Sequence, residues 1–149
     1  ERAAILRAET HCDDPRATET IGIVAYLDDE PVAWCAVDRR AVYGRVRGSP
    51  VPWQGRDEDP DDETVWAIPC IVVRKGHRGE GLTYPLIAAA AEHARSRGAS
   101  AVEGYPMLTD GKKVVWDELN VGPLGPFLAA GFREITHPTK RRLVMRLDF

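Results

Sequence analysis

Apolar residues along the 149-residue chain fall mostly into short runs of strand length, with one longer stretch of helical period between them. IGIVAYL (21–27) and VAWCAV (32–37) read as two strands joined by Asp28-Asp29-Glu30-Pro31, a hairpin turn. TVWAIPCIVV (64–73) predicts another strand, ending in a β-branched run suited to burial. Leu82, Leu86, Ile87, Ala90 and Ala94 then lay one apolar stripe along a helix that otherwise carries Glu92, His93, Arg95 and Arg97. Thr83 is the candidate cap of that helix, Pro85 fits its first turn, and Gly98 fits a left-handed stop. AVEGY (101–105) predicts a strand, Pro106 to Leu119 a long loop, VGPLGPFLAAGF a short helix despite its prolines, and FREIT and RRLVMRL the closing strands. ERAAILRAETH at the start reads as a short helix. The order, a β-hairpin followed by β, α, β, α, β, β, predicts one mixed, mainly antiparallel sheet with helices on its faces.

The chemistry concentrates at RKGHRGEGL (74–82), where three glycines and two arginines lie between a strand and a helix N-terminus. Such a loop presents backbone N–H groups in front of the positive end of the helix dipole and suits phosphate or pyrophosphate. The Gly-Lys-Ser/Thr ending of a P-loop is missing, and Tyr84 stands where a dinucleotide fingerprint needs its third glycine. The alternative is that the glycines only turn the chain.

Strand IVV, the loop Arg78-Gly79-Glu80-Gly81, the amphipathic helix, AVEGY and the segment NVGPLGPFLAAGF (120–132) together resemble the GCN5-related N-acetyltransferase (GNAT) superfamily over roughly residues 20–149. The resemblance implies a mixed α+β fold in a single domain spanning 1–149, with a mainly antiparallel central sheet, helices on both faces and a splayed pair of strands forming an acetyl-CoA cleft. It implies that Ile71, Val72 and Val73 pair with the pantetheine arm, and that Arg78, Gly79, Glu80, Gly81, Leu82 and Thr83 hold the pyrophosphate. Asn120 takes the pantetheine amides, the N-cap of the following helix, or both, and Phe127 faces the cofactor at a position the family commonly fills with an acidic tyrosine. Gly76 stands where the family usually has Gln or Arg, so Arg74 or Lys75 is expected to supply that charge.

Acetyl transfer to an amine needs a neutral nucleophile, a donor for the developing negative oxygen, and a tolerable leaving group. By resemblance the donor is a backbone N–H of Ile71 to Val73. Glu103, or else Glu63, is the candidate base, with a water chain or a solvent-facing strand position as the alternatives. Tyr105 and Tyr84 are candidate substitutes for the missing acid, or ordinary packing residues. A thiol of pKa about 8.5 already makes a tolerable leaving group.

Composition narrows the remaining classes. A formal charge of −3 argues against a nucleic-acid surface, and no run approaches the ~18 apolar residues of a membrane helix or forms a secretory leader, so the chain is expected to be cytoplasmic. Cys12, Cys35 and Cys70 lack paired metal spacing and read as reduced thiols, and no metal is expected. The chain opens at Glu1 without methionine, which leaves room for a missing N-terminal segment. DEDPDDE (57–63) reads as a solvated loop or a mouth for a cationic acceptor, with Trp53 and Trp66 as a pocket wall or as anchors. The resemblance implies a small-molecule or peptide amine as the acceptor, and a homodimer is compatible with the pattern. A CoA-binding sensor without catalysis stands as the alternative to the enzyme.

Overall fold

The computed structural model describes Ala4 and residues 14–111 and 119–149; the helix expected over 1–11, Cys12 and the connection 112–118 lie outside the described residues. Strands β1 (Gly22–Leu27) and β2 (Glu30–Ala36) form the expected hairpin. Its turn is shorter than the four residues expected: Asp28 and Asp29 alone make it, with φ of 48° and 67°, the paired left-handed geometry that matches strand twist. A two-residue strand β3 (Asp38–Arg39), a single 3-10 turn and the short helix α1 (Gly44–Gly48) follow.

The stretch expected as one strand over 64–73 is two, β4 (Val65–Ile68) and β5 (Ile71–Val73), and they belong to different sheets. Pro69 lies at the break and has no N–H to give a ladder. One sheet has the order β1-β2-β5, and the other β3-β4-β6-β8-β7, where β6 is Ala101–Gly104, β7 Arg133–Thr139 and β8 Arg142–Asp148. The single sheet expected from element order is therefore split, although the Ala36 amide still reaches the Cys70 carbonyl at 2.9 Å across the junction. The β4–β6 pairing is parallel, while the other strand pairs are antiparallel.

Helix α2 (Thr83–Ser96) buries Leu86, Ile87, Ala90, Ala91 and Ala94 against Cys35, Ile68, Ile71, Val102 and Met145. Full burial of Leu86 and Ile87 contributes roughly 1.5–3 kcal/mol each. The helix stops as expected, with Gly98 at φ 84° and the Ala99 amide returning to the Ala94 carbonyl. Its start differs: Leu82 is the cap residue, Thr83 is already helical, and no side chain closes the N-terminus. Helix α3 (Leu124–Ala129) packs beside α2 through Phe127, which is fully buried and meets Phe132 edge-on at a 5.2 Å centroid distance. The opposite face of the larger sheet is covered by α1, where Val46 packs with Ala67, Tyr105 and Val144. No helix among the described residues is long and apolar enough to cross a membrane.

Trp66 and Trp53, expected near one another, lie on opposite faces of β4: Trp66 packs in the α2-side core against His93, and Trp53 on the α1 side stacks under Arg40. They form no common wall.

Gly104 and Phe127 are matched, because a Cβ at Gly104 would overlap the Phe127 ring. Gly104→Ala is expected to cost about 1–3 kcal/mol through overpacking. In a Phe127→Leu background the same substitution should cost clearly less, and a denaturant-unfolding cycle over the four proteins measures this coupling.

Candidate functional site

β4 pairs with β6 from Val65↔Ala101 to Ile68↔Gly104, and there the two part. β5 continues the chain on the far side of Pro69 but pairs only with β2, so its other edge opens onto a groove of about 610 Å³. In an antiparallel ladder, residues that exchange hydrogen bonds alternate with residues that do not. The Arg74 amide bonds the Val32 carbonyl and the Ala36 amide bonds the Cys70 carbonyl, which assigns Val72 to the bonded register with Trp34. The backbone groups of Ile71 and Val73 accordingly face the open edge.

The far wall is the glycine loop. Gly76, Gly79 and Gly81 have φ of 99°, 81° and 75°, a region where a side chain is strained. Among the described residues, the amides of Gly79, Glu80, Gly81 and Leu82 donate no backbone hydrogen bond, and they stand at the uncapped N-terminus of α2. Free donors on a helix N-terminus form an anion site. The third wall comes from Leu119, Asn120, Gly122 and Pro123. A side chain at Gly122 would overlap Ile71 and press on Phe127, so its φ of 86° and its lack of a Cβ keep this wall against β5.

Of the residues expected to bind a cofactor, Ile71, Val72, Val73, Arg78, Gly79, Gly81, Leu82, Thr83 and Asn120 do come together around this groove. Two do not line it. The Glu80 side chain turns to His77, and Phe127 is sealed in the core behind Gly104 and Gly122, where an aromatic ring satisfies packing and needs no ligand. Asn120 does not cap α3, since Pro123 occupies that position. Arg74, expected to supply charge to the loop, pairs instead with Glu30 at 3.2 Å, and the Arg78 Nε donates to the Val73 carbonyl at 3.2 Å. His77, Leu119, Gly122 and Pro123 line the groove without having been singled out. The signal for the last two was the Gly-Pro pair that follows Asn120 after one residue.

Glu103 and Tyr105, expected as base and acid, stand elsewhere. Glu103 has no exposed surface and lies under the segment 40–59, where Arg40 and Arg146 donate to it at 3.1 Å, Arg56 pairs with it through both carboxylate oxygens, and the Tyr105 hydroxyl donates at 3.1 Å. Burial pushes its carboxyl up, but the hydrogen bonds and charges of Arg56 and Arg40 outweigh that and hold it below its ordinary value. A carboxylate so held accepts a proton poorly. Tyr105 is 3 % exposed, and burial together with the Glu103 charge raises its pKa well above the ordinary one, so it donates poorly too. Glu58, inside the acidic run expected to be solvated, joins the cluster through Arg40 and Arg56, while Asp57, Asp59, Asp61 and Glu63 are exposed. The sequence signal for this cluster was a lone Glu within an apolar strand, which burial obliges to find cationic partners. The Tyr84 hydroxyl lies near Gly125 of α3, and the ring is half exposed.

Cys35 is buried and its thiol is pushed up to about 12 by desolvation; Cys70 is half-buried and shifted in the same direction. Both are thiols at neutral pH.

A family model described as "Acetyltransferase (GNAT) family" matches residues 3–105, and the chain belongs to that family. Among solved structures, a GCN5-related N-acetyltransferase from Kribbella flavida superposes at a TM-score of 0.56, with 16% identity over 97% of this chain and 76% of its own. A ribosomal-protein-alanine N-acetyltransferase from Brucella melitensis gives 0.55, with 15% identity over 99% and 76%. A Bacillus subtilis acetyltransferase in complex with CoA gives 0.51, with 15% identity over 87% and 78%. Other matched structures are longer relative to this chain, which spans 60% of the GNAT domain of S. lividans PAT. At such identities the likeness establishes the fold. The comparison with curated proteins returned no match.

Removing the Glu103 carboxylate leaves three guanidiniums around a buried gap, and Glu103→Ala is expected to cost about 3–5 kcal/mol near neutral pH. Because the folded carboxyl is depressed, its contribution is present above the ordinary value of 4.5 and is lost as pH falls below that value. Denaturant unfolding should therefore show a gap between wild type and variant that is full near neutrality and narrows in acid.

Proposed function

We propose that the protein is an acetyl-CoA-dependent N-acetyltransferase that passes the acetyl group to a primary amine by direct attack in a ternary complex. The observation that carries this reading is the joining, in one groove, of a free strand edge at β5 with a loop whose amides are unused. A pantetheine arm carries amides that can pair with the backbone groups of Ile71 and the N–H of Val73, whose carbonyl already accepts from Arg78, and a pyrophosphate suits the amides of Gly79 to Leu82 at the α2 N-terminus. Asn120 and Gly122 close the groove from the opposite side.

Acetyl-CoA supplies an activated acyl group on a thiol that leaves without strong acid assistance. The work left to the chain is positioning and charge stabilisation. A backbone N–H on the β5 edge, held rigid by pairing with β2, donates to the acetyl oxygen as negative charge gathers there. The groove fixes the thioester so that an amine meets it at close range. Neither Glu103 nor Tyr105 takes part, since both are buried, they are tied to each other, and Glu103 is also held by arginines. The amine enters neutral and gives its proton to solvent. The protein is proposed to act as a soluble enzyme on a small-molecule or peptide amine.

A second reading, a CoA-binding sensor on the same fold, is favoured by the burial of Phe127, Glu103 and Tyr105, which withdraws the expected base and acid, Glu103 and Tyr105, from the groove. Turnover separates the two. Purified protein with acetyl-CoA should release free CoA in the presence of at least one member of a panel of polyamines, aminoglycosides and peptide N-termini, read with a thiol reagent. Gly79→Ala and Gly81→Ala should weaken acetyl-CoA binding at least ~10-fold, equivalent to about 1.4 kcal/mol, while keeping a cooperative melt. Among the described residues, no atom outside the glycine and its two chain neighbours lies within 4 Å of a Cβ at either site, so the loss comes from the ligand and from φ strain rather than from a clash. Tight CoA binding without turnover on any amine would favour the sensor.

A further inference from the structure

We propose that His77 is the side chain with which the glycine loop holds the phosphates of its ligand, and that Glu80 occupies the same imidazole nitrogen when no phosphate does. The proposal rests on the assignment of the groove to CoA and adds to it a residue and a competition.

Of the cationic side chains beside the loop, Arg74 is engaged by Glu30 and the Arg78 Nε by the Val73 carbonyl, so both are directed at least in part to other acceptors. Among the described residues, His77 adds an imidazole to the same groove wall as Arg78, Gly79 and Gly81. Its backbone is fixed by a hydrogen bond that its amide N–H donates to the Arg74 carbonyl at 3.0 Å, directly after the left-handed turn at Gly76. Its Nδ1 lies 3.3 Å from a Glu80 carboxylate oxygen, long for a charge-assisted bond, with the two side chains 31% and 51% exposed. Such a contact exchanges readily.

The chemistry of the exchange is a swap of acceptors. The imidazole N–H that faces Glu80 can turn to a phosphate oxygen held by the amides of Gly79 to Leu82, which begin two residues further on, and the Glu80 carboxylate, half exposed, is then solvated by water. The pair therefore keeps the donor oriented over the loop and prevents Glu80 from facing the phosphates unscreened. It also sets a cost on binding that only phosphate-bearing ligands repay.

The test is calorimetric titration of the intact chain with CoA and with pantetheine, which lacks the phosphates, on wild type, His77→Ala, His77→Gln, Glu80→Gln and the double variant His77→Ala with Glu80→Gln. His77→Ala should weaken CoA at least ~10-fold and leave pantetheine unchanged. His77→Gln, which keeps an N–H donor, should recover part of the loss. Glu80→Gln should tighten CoA when His77 is present and have no such effect when it is absent. If His77→Ala binds CoA as wild type does, or if Glu80→Gln gives the same gain in both backgrounds, plain charge repulsion accounts for Glu80 and the proposal fails. Failure of wild type to bind CoA at all overturns both this proposal and the assignment of the groove. A cooperative melt for each variant confirms that folded protein was titrated.

Discussion

Everything in the groove depends on a missing backbone donor. Pro69 interrupts a strand that would otherwise run unbroken from Val65 to Val73, and the chain changes partners across it: β4 stays with β6, while β5 leaves to pair with β2 alone. One strand edge is thereby left unpaired inside the molecule rather than at its rim. An unpaired edge normally invites aggregation, but here the wall from Leu119 to Pro123 and the glycine loop enclose it. The glycines at 76, 79 and 81 then bring a second set of unpaired amides to the same place, at a helix end that no side chain caps.

On the other face of the larger sheet, the balance is electrostatic. Glu103 sits in β6 one residue before the strands part, and its burial is tolerable only because Arg40, Arg56 and Arg146 converge on it from three separate segments. Two of those arginines belong to the stretch between β3 and β4, so the same cluster fastens that stretch over the sheet. Such a cluster is costly to break and of modest net benefit to keep. Its contribution is to hold the 40–59 segment in one arrangement beside the splay.

Much of this was legible in the letters. The amphipathic helix, the hairpin, the glycine loop and the closing strands all follow from period, turn residues and β-branched runs, and the loop and IVV strand together pointed to the family. The errors share a physical cause. Position within a strand tells which face a residue takes but not what covers that face, so Glu103 reads as facing a cleft or solvent, whereas distant arginines enclose it. Phe127 was assigned by its place in a family pattern, yet packing against Gly104 and Gly122 draws it into the core. The break at Pro69 was written in the sequence, but the apolar letters on both sides made one strand the simpler reading. His77 gave no periodic signal, because a loop side chain is placed by the backbone turns around it.

The central claim is that unused backbone amides, on the β5 edge and in the glycine loop, form the binding site. Amide hydrogen exchange with and without CoA measures those groups directly. The account predicts that the amides of Gly79, Glu80, Gly81 and Leu82, together with Ile71 or Val73, slow markedly in the presence of CoA, while the strands β7 and β8 change little. Unchanged exchange in the loop, with protection arising at some other surface, would contradict it.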